Sequence, residues 1–153
     1  MVALPSTDDA LIRQVAVAYG LPFDLLRAQV IQESGGDPNA LRYEPAFFSR
    51  YIRNNPDAAA GRFVVFAACS LGLLQIMLET ACEIGFSGQP WELFTPRVGL
   101  AWGAKHMASL VEWAGGDYKR ALGAYNAGKG RWDSQAGKTY AASVYALAGR
   151  ALA

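Results

Sequence analysis

The sequence has few of the residues that build metal sites and disulfide scaffolds. Its 153 residues include two cysteines, Cys69 and Cys82, and one histidine, His106. The cysteines have neither the paired short spacing of a zinc site nor the density of a disulfide framework, so we expect two small, buried, apolar side chains. His106 has no acidic or cysteine partner at ligand spacing. We expect it to be a hydrogen-bonded core residue rather than a metal ligand or a catalytic group.

The sequence also lacks long apolar runs and an excess of charge. No stretch reaches the roughly 18 apolar residues of a membrane span, and the first residues, MVALPSTDD, have no basic region followed by an apolar run. We therefore expect no secretory signal or membrane anchor. The formal net charge is +1, which disfavours a general electrostatic attraction to nucleic acid or an anionic membrane. The length and the 52% hydrophobic content fit a single domain over residues 1–153.

Helix start and stop signals follow one another along the first part of the chain. Ser6 or Thr7, followed by two aspartates, can cap a helix whose apolar residues recur at helical spacing until Gly20. Pro22 then begins a second helix that we expect to end at about Ser34. The pattern predicts an all-α fold, with room for one short β-hairpin in residues 41–66.

Similar signals mark the second part of the chain. Residues 79–84 have a helical pattern, and Thr95-Pro96 begins a long helix that we expect to be the central buried one. Asp117 caps a further helix that breaks at Gly128. The stripe predicted to face the core from the long helix is Val98, Trp102, His106, Leu110 and Trp113.

Glu33 stands at an unfavourable place for a carboxylate. It lies in the last turn of the second helix, where the carbonyl ends carry partial negative charge. Leu26, Val30 and Glu33 also share the stripe that should face the core. Both effects disfavour the charged form, so we predict a raised pKa, as a general acid requires near neutral pH. From this stretch alone, a glutamate at a cleft edge bonded to an arginine or a backbone amide is the alternative.

Two other segments place polar side chains among apolar ones. The run LLQIM contains one amide, Gln75, which is either a hydrogen-bonding hub in the core or a reader of a polar ligand. Tyr125 and Asn126 stand at a helix end, where a ring can pack on a pyranose while an amide meets hydroxyl and acetamido groups. A core tyrosine followed by a capping asparagine explains the same pair.

Together, ES at Glu33, GLLQIM at Gly72 and AYNAG at Ala124 resemble the soluble lytic transglycosylases of the goose-type lysozyme-like superfamily. The likeness covers residues 8–144, because KTYAASV is similar to the closing helix of that family. It implies a lysozyme-like helical fold and cleavage of the bond between N-acetylmuramic acid and N-acetylglucosamine in bacterial peptidoglycan. It also implies that no metal or organic cofactor takes part.

The resemblance assigns a role to individual residues. Glu33 is implied to be the sole catalytic acid and base, with Tyr125 within hydrogen-bonding reach of it as the second catalytic residue. The product would be a 1,6-anhydromuramyl end, formed without water. The implied substrate-binding residues are Ser34, Ser70, Leu74, Gln75, Ile76, Asn126 and Tyr140.

The stretch from Ala40 to Cys69 departs from the family pattern, because it is longer than in most members. Its RYEPAFFSRYI segment resembles phage-associated relatives and some N-acetylmuramidases. Glu44 in this segment is a candidate for substrate contact. It could also be a second carboxylate, which would make the protein a hydrolytic muramidase acting on the same bond.

The expected partner is the peptidoglycan glycan strand, and we expect neither nucleic acid binding nor membrane insertion. The chain would act in the periplasm or cell wall, as a monomer or as part of a larger phage or secretion assembly that delivers it. A further alternative is a non-catalytic peptidoglycan-binding or virion structural module that keeps the fold without the chemistry.

Overall fold

The computed structural model describes residues 9–55 and 63–151, and this part is mainly helical. The helices are α1 (Asp9–Tyr19), α2 (Phe23–Ser34), α3 (Pro45–Phe47), α4 (Val64–Ala67), α5 (Leu78–Glu83), α6 (Pro96–Trp113), α7 (Tyr118–Ala127) and α8 (Gln135–Leu147). The strands are β1 (Leu41–Tyr43), β2 (Cys69–Leu71) and β3 (Ile76–Met77). A π-helical turn, Phe48–Ile52, and 3₁₀ turns, Pro90–Phe94 and Lys129–Arg131, complete the described elements. The predicted all-α class is confirmed.

Glycine and proline set the helix ends where the sequence predicts them. At the end of α1, Gly20 has a φ of 65°, and the amide of Leu21 donates to the carbonyl of Ala16 at 2.9 Å, which closes the last turn. The amide of Leu26 donates to the carbonyl of Pro22 at 3.0 Å, so α2 begins directly after the proline. The predicted caps of α1, Ser6 and Thr7, lie outside the described residues.

The strands form a small antiparallel sheet in the order β1-β2-β3. Leu41 pairs with Leu71, and Leu71 pairs with Ile76 on its other side. The hairpin expected within residues 41–66 is therefore wrong in its bounds, because only β1 lies there. All three residues of β2 are buried, so burial in the core selects residues 69–71 as the central strand, while Val64–Ala67 turns into α4.

By its contacts the chain divides into two compact units. In the described part, the first unit comprises residues 33–103 and the second comprises residues 9–32 with 104–151. The boundaries fall inside α2, after Gln32, and inside α6, after Gly103.

In the first unit, glycines let α6 come very close to two neighbouring segments. A Cβ added to Gly99 would lie 2.2 Å from the carbonyl oxygen of Leu93, and one added to Gly103 would lie 2.5 Å from the Cβ of Leu74. Trp102 meets Phe86 edge to face, with 5.5 Å between ring centroids. The buried apolar cluster of this unit contains Ile52, Ala67, Ala68, Cys69, Leu71, Ile76, Leu78, Ala81, Phe86 and Leu93.

In the second unit, α7 and α8 both pack closely against the backbone of the turn that connects them. A Cβ added to Gly123 or to Gly137 would lie 2.4 Å or 2.3 Å, respectively, from the carbonyl oxygen of Trp132. Arg150 pairs with Asp24, one bond being 2.9 Å from Nη2 to Oδ1. The fully buried side chains of this unit include Ile12, Leu26, Met107, Leu110 and Leu122.

The buried face of α6 is offset from the predicted aromatic stripe. Small and aliphatic residues, Leu100, Ala104, Met107 and Leu110, are at most 2% exposed. The predicted residues Trp102 and His106, like Val98 and Trp113, are only half-buried. Close packing explains the offset, because the glycine side of the helix admits neighbours more closely than the large rings do. Among the described helices, none has both the length and the apolarity of a membrane span.

Candidate active site

Glu33 lies at the end of α2 on the face that the sequence predicts. Leu26 and Val30 of the same stripe are 1% and 0% exposed, and Glu33 itself is half-buried. The hydroxyl of the next residue, Ser34, donates to the carbonyl of Leu73 at 2.8 Å and accepts from the amide of Gly36 at 3.2 Å. Ser34 thus fastens the end of α2 to the GLLQIM segment, and its hydroxyl is engaged by the fold.

Gln75 is the hydrogen-bonding hub of the GLLQIM segment. Its Nε2 donates to the carbonyl of Ala40 at 2.9 Å and to that of Gly72 at 3.1 Å. Among the described residues it alone, apart from glycines, has a positive φ, 47°, a conformation that costs about 1–2 kcal/mol for an L-residue. The two N–H groups of the Gln75 amide therefore stabilise a strained turn. In this structure the side chain acts as a hydrogen-bonding hub within the fold, which was one of the two roles considered for it.

Three other residues expected to contact sugar are buried in this unit. Leu74 and Ile76 are 0% and 2% exposed, and Leu74 packs on the α-carbon of Gly103. Ser70 is 2% exposed, and its hydroxyl donates to the carbonyl of Arg42 at 3.4 Å. These side chains support the segment from within, and their predicted contact with substrate stays a prediction.

Glu44 follows β1 and is half-buried. Its amide donates to the carbonyl of Ala68 at 2.8 Å, and its carboxylate accepts from Nε of Arg42 at 2.5 Å. Its predicted roles in substrate contact or as a second carboxylate stay predictions. Glu79, in the first turn of α5, is 4% exposed. Burial, and then the nearby Glu79, raise the pKa of Glu83.

In the second unit, Tyr125 and Asn126 occupy the last turn of α7, as predicted. Tyr125 is half-buried and Asn126 is exposed. Asp117 caps the other end of the helix by accepting from the amides of Lys119 and Arg120 at 3.0 and 3.1 Å. Of the two motif side chains, Asn126 is thus the one exposed at this end of α7. The hydrogen bond predicted between Tyr125 and Glu33 stays a prediction.

His106 packs against Tyr125, with 5.2 Å between ring centroids and 44° between ring planes. Its Nδ1 is buried and has no hydrogen-bond partner among residues 9–55 and 63–151. Burial, and then the charge of Lys129, lower the pKa of His106 from 6.5 to about 4. The expectation of a fully hydrogen-bonded histidine is therefore wrong at Nδ1.

Tyr140, expected to bind substrate, is 7% exposed and accepts from Nε2 of Gln29 at 3.4 Å. Another bond joins the same two helices, because the hydroxyl of Ser143 donates to Oε1 of Gln32 at 2.5 Å. These two bonds brace α2 up to the residue before Glu33, and the predicted contact of Tyr140 with substrate stays a prediction. The sequence analysis did not predict these bonds between α2 and α8. The signal was Gln29, a polar residue on the apolar stripe of α2 that needs a buried hydrogen-bond partner.

A group of cations and tryptophans in the second unit was also missed. The guanidinium of Arg120 lies 4.4 Å from the ring centroid of Trp113 and 5.5 Å from that of Trp132. The ammonium of Lys129 lies 5.6 Å from the Trp113 ring. These are cation–π distances.

The cysteines and the potential metal ligands show no disulfide and no metal site in the described residues. Cys69 is buried, Cys82 is half-buried, and both thiols are free; burial raises the pKa of each. Within the described ranges, histidine, cysteine, aspartate and glutamate form no cluster that could hold a metal ion.

Comparison with known proteins identifies the family. The family described as Transglycosylase SLT domain matches residues 10–147. A solved structure of an inactive mutant of the lytic transglycosylase Slt from Pseudomonas aeruginosa has the same fold, with a TM-score of 0.69 at 21% identity. The match covers 95% of this chain and 24% of that enzyme, and it confirms the lysozyme-like fold. Because the family match extends over nearly the whole chain, this protein belongs to the transglycosylase SLT domain family.

Proposed function

We propose that this chain is a peptidoglycan lytic transglycosylase with Glu33 as its catalytic acid and base. The observation that carries the proposal is the family match over residues 10–147. The solved relative adds support, because its inactive form is described as a glutamate-to-glutamine mutant of a lytic transglycosylase. In this chain Glu33 is half-buried in the last turn of α2.

In the proposed reaction, Glu33 donates its proton to the glycosidic oxygen between N-acetylmuramic acid and N-acetylglucosamine. The acetamido group of the muramyl residue assists as the bond from C1 to that oxygen breaks. The Glu33 carboxylate then removes the proton of the muramyl 6-hydroxyl, whose oxygen bonds to C1. The products are a 1,6-anhydromuramyl end and a free 4-hydroxyl, and Glu33 is protonated again without consumption of water.

The first unit anchors the residue after Glu33, because the hydroxyl of Ser34 donates to the carbonyl of Leu73. An acid beside an anchored neighbour keeps its direction better, which general acid catalysis needs. We place the Tyr125 hydroxyl as the group that orients the acid and Asn126 as a reader of the acetamido group.

Product mass tests the reaction directly. Digestion of purified peptidoglycan should release muropeptides that are lighter by one water than the products of a hydrolytic muramidase. A spectrum with only reducing muramic acid ends would overturn the transglycosylase reaction in favour of hydrolysis. Glu44→Gln would then test whether the second carboxylate is the one paired with Arg42.

Glu33→Gln tests the catalytic residue. It should lower the release of products by roughly 10²–10⁴-fold, because the amide cannot donate or accept the proton, while the midpoint of thermal unfolding changes little. Glu112→Gln, which alters an exposed glutamate of α6, is the matched control and should retain activity. Full activity of Glu33→Gln would remove Glu33 from the mechanism, and an inactive wild type would favour the non-catalytic module.

The substrate places this activity in the periplasm or cell wall. Delivery by a phage lysis or injection system is the finer proposal, and it is supported only by the resemblance of the segment around Glu44. If a membrane pore must supply the route, expression inside bacteria should cause lysis only when a holin is produced with it. Lysis without a holin would contradict this delivery.

A further inference from the structure

A groove between α7 and α8 has a composition suited to a charged saccharide. It encloses about 490 Å³ and is lined by Trp132, Gln135 and Thr139, with the side chains of Lys119 and Lys138 among its walls. None of the candidate catalytic or substrate-binding residues lines it. An indole beside an amide and a hydroxyl matches a sugar ring with its polar rim, and the ammonium groups match anions.

Trp132 is held in place before any ligand arrives. Its carbonyl oxygen lies where only a glycine fits at Gly123 and at Gly137, so the backbone of the turn is clamped by both helices. Its ring also lies 5.5 Å from the guanidinium of Arg120. A platform that is already rigid loses little conformational entropy on binding.

The charged residues that line the groove, Lys119 and Lys138, are both positive. Asp117, which caps α7, and Asp133, which follows Trp132, are not among the lining residues. Lys138 is exposed and, among the described residues, belongs to no ion pair. Since the formal net charge of the chain is only +1, this concentration of lysine points to a local anionic ligand rather than to general attraction of polyanions.

We infer that this groove is a second binding site for the peptidoglycan strand, in which Trp132 packs on a sugar and Lys119 and Lys138 bind carboxylates of the peptide stems. The choice of substrate rests on the proposed function. In intact peptidoglycan the lactyl carboxyl is consumed in the amide bond to the peptide, so the carboxylates available to lysine are those of the stems. The site would hold the enzyme on the insoluble wall between cleavage events.

The test measures binding without cleavage. Full-length Glu33→Gln protein is titrated onto insoluble peptidoglycan stripped of other polymers and onto chitin, an insoluble glycan without carboxylates. In that background, Lys138→Glu should weaken binding to peptidoglycan by roughly fivefold, the size of one surface charge interaction, and leave binding to chitin unchanged. Lys105→Glu, at an exposed lysine of α6, is the charge-matched control and should change neither.

A second variant fills the groove instead of changing its charge. Ala142 lines the groove and is half-buried, so Ala142→Phe should reduce binding to both glycans while the unfolding temperature stays within a few degrees of the parent. Equal losses for Lys138→Glu and Lys105→Glu, or no loss for the two groove variants, would overturn the inference. An equal effect of Lys138→Glu on chitin would also overturn it. Cleavage by the protein with intact Glu33 is assayed separately, so failure of the groove and failure of the proposed reaction are distinguishable.

Discussion

The GLLQIM segment, residues 72–77, and the AYNAG segment, residues 124–128, differ in burial although both carry family motifs. In the first, Gln75 is 8% exposed and its amide donors serve two backbone carbonyls. In the second, Tyr125 is half-buried and Asn126 is exposed. One segment uses its polar residue to shape the chain, whereas the other presents polar groups at a helix end. A family motif can therefore place a polar residue inside the fold, as at Gln75, or at an exposed helix end, as at Asn126.

The largest expected effect concerns the shape of the buried segment. Gly72 has a φ of 76°, and an added Cβ would lie 2.3 Å from the carbonyl oxygen of Leu93. Gly72→Ala should lower the free energy of unfolding by about 3 kcal/mol or more, since backbone strain and overpacking act together. Gly35 has a φ of 62°, and no atom lies within 4 Å of an added Cβ. Gly35→Ala should therefore lower the free energy of unfolding only by the cost of backbone strain, about 1–2 kcal/mol. Equal losses in urea titrations would show that the close approach is unimportant.

A smaller effect is expected at Gln75. Gln75→Met keeps the length of the side chain but removes the donors to Ala40 and Gly72. Stability should fall by about 2 kcal/mol because buried carbonyls lose a partner, while the glycan affinity of the protein that remains folded is retained. The opposite result, unchanged stability with weakened affinity, would show that Gln75 binds the ligand. The two segments would then not differ in the use of their polar residues.

At Tyr125 the expected change is in catalysis rather than stability. Tyr125→Phe should lower kcat/KM about tenfold, or about 1.4 kcal/mol in transition-state stabilisation, mainly through kcat, and should shift the acidic limb of the pH profile. Tyr118→Phe, near the other end of α7, is the matched control and should leave both unchanged. Loss of stability without loss of turnover would assign Tyr125 to the core.

The smallest effect is a dependence of stability on pH that comes from His106. Above pH 6.5 this histidine is neutral in both states, so it adds no pH dependence. Between pH 6.5 and about 4 the unfolded chain binds a proton that the folded protein refuses, so stability falls as the pH falls, and the loss is complete below about pH 4. The wild type should lose on the order of 1 kcal/mol more than His106→Phe between pH 6.5 and 5. Parallel unfolding curves for the two proteins would contradict the buried neutral imidazole.

Local signals predicted the helix ends well, because Gly20, Pro22 and Gly128 act on their immediate neighbours. The buried face of α6 was misplaced, because Gly99 and Gly103 decide it through segments that approach from elsewhere in the chain. Gln75 illustrates the same limit within a candidate site. The sequence of a glutamine among leucines is the same whether its amide donates to the backbone or to a ligand. Only the fold shows that the carbonyl of Ala40 lies within hydrogen-bonding distance of Gln75.

The placement of Glu33 on the stripe of α2 followed from helical periodicity, which depends on neighbours a few positions away. The brace of α2 could not be found in this way, because the hydrogen bonds of Tyr140 and Ser143 each join residues 111 positions apart. Periodicity carries no information at that separation, so the sequence assigned Tyr140 to the substrate by resemblance alone and did not predict the brace.

The antiparallel pairing of β1 with β2 joins residues 41–43 to residues 69–71, which makes residues 44–68 a closed loop. The entropy of closing such a loop depends only on the logarithm of its length, and doubling the length costs about 0.6 kcal/mol. Relatives can therefore lengthen or shorten this insertion while the sheet persists. A change of substrate preference could therefore evolve, or be engineered, in this insertion at little entropic cost, provided that Ile52, Ala67 and Ala68 stay in the buried apolar cluster.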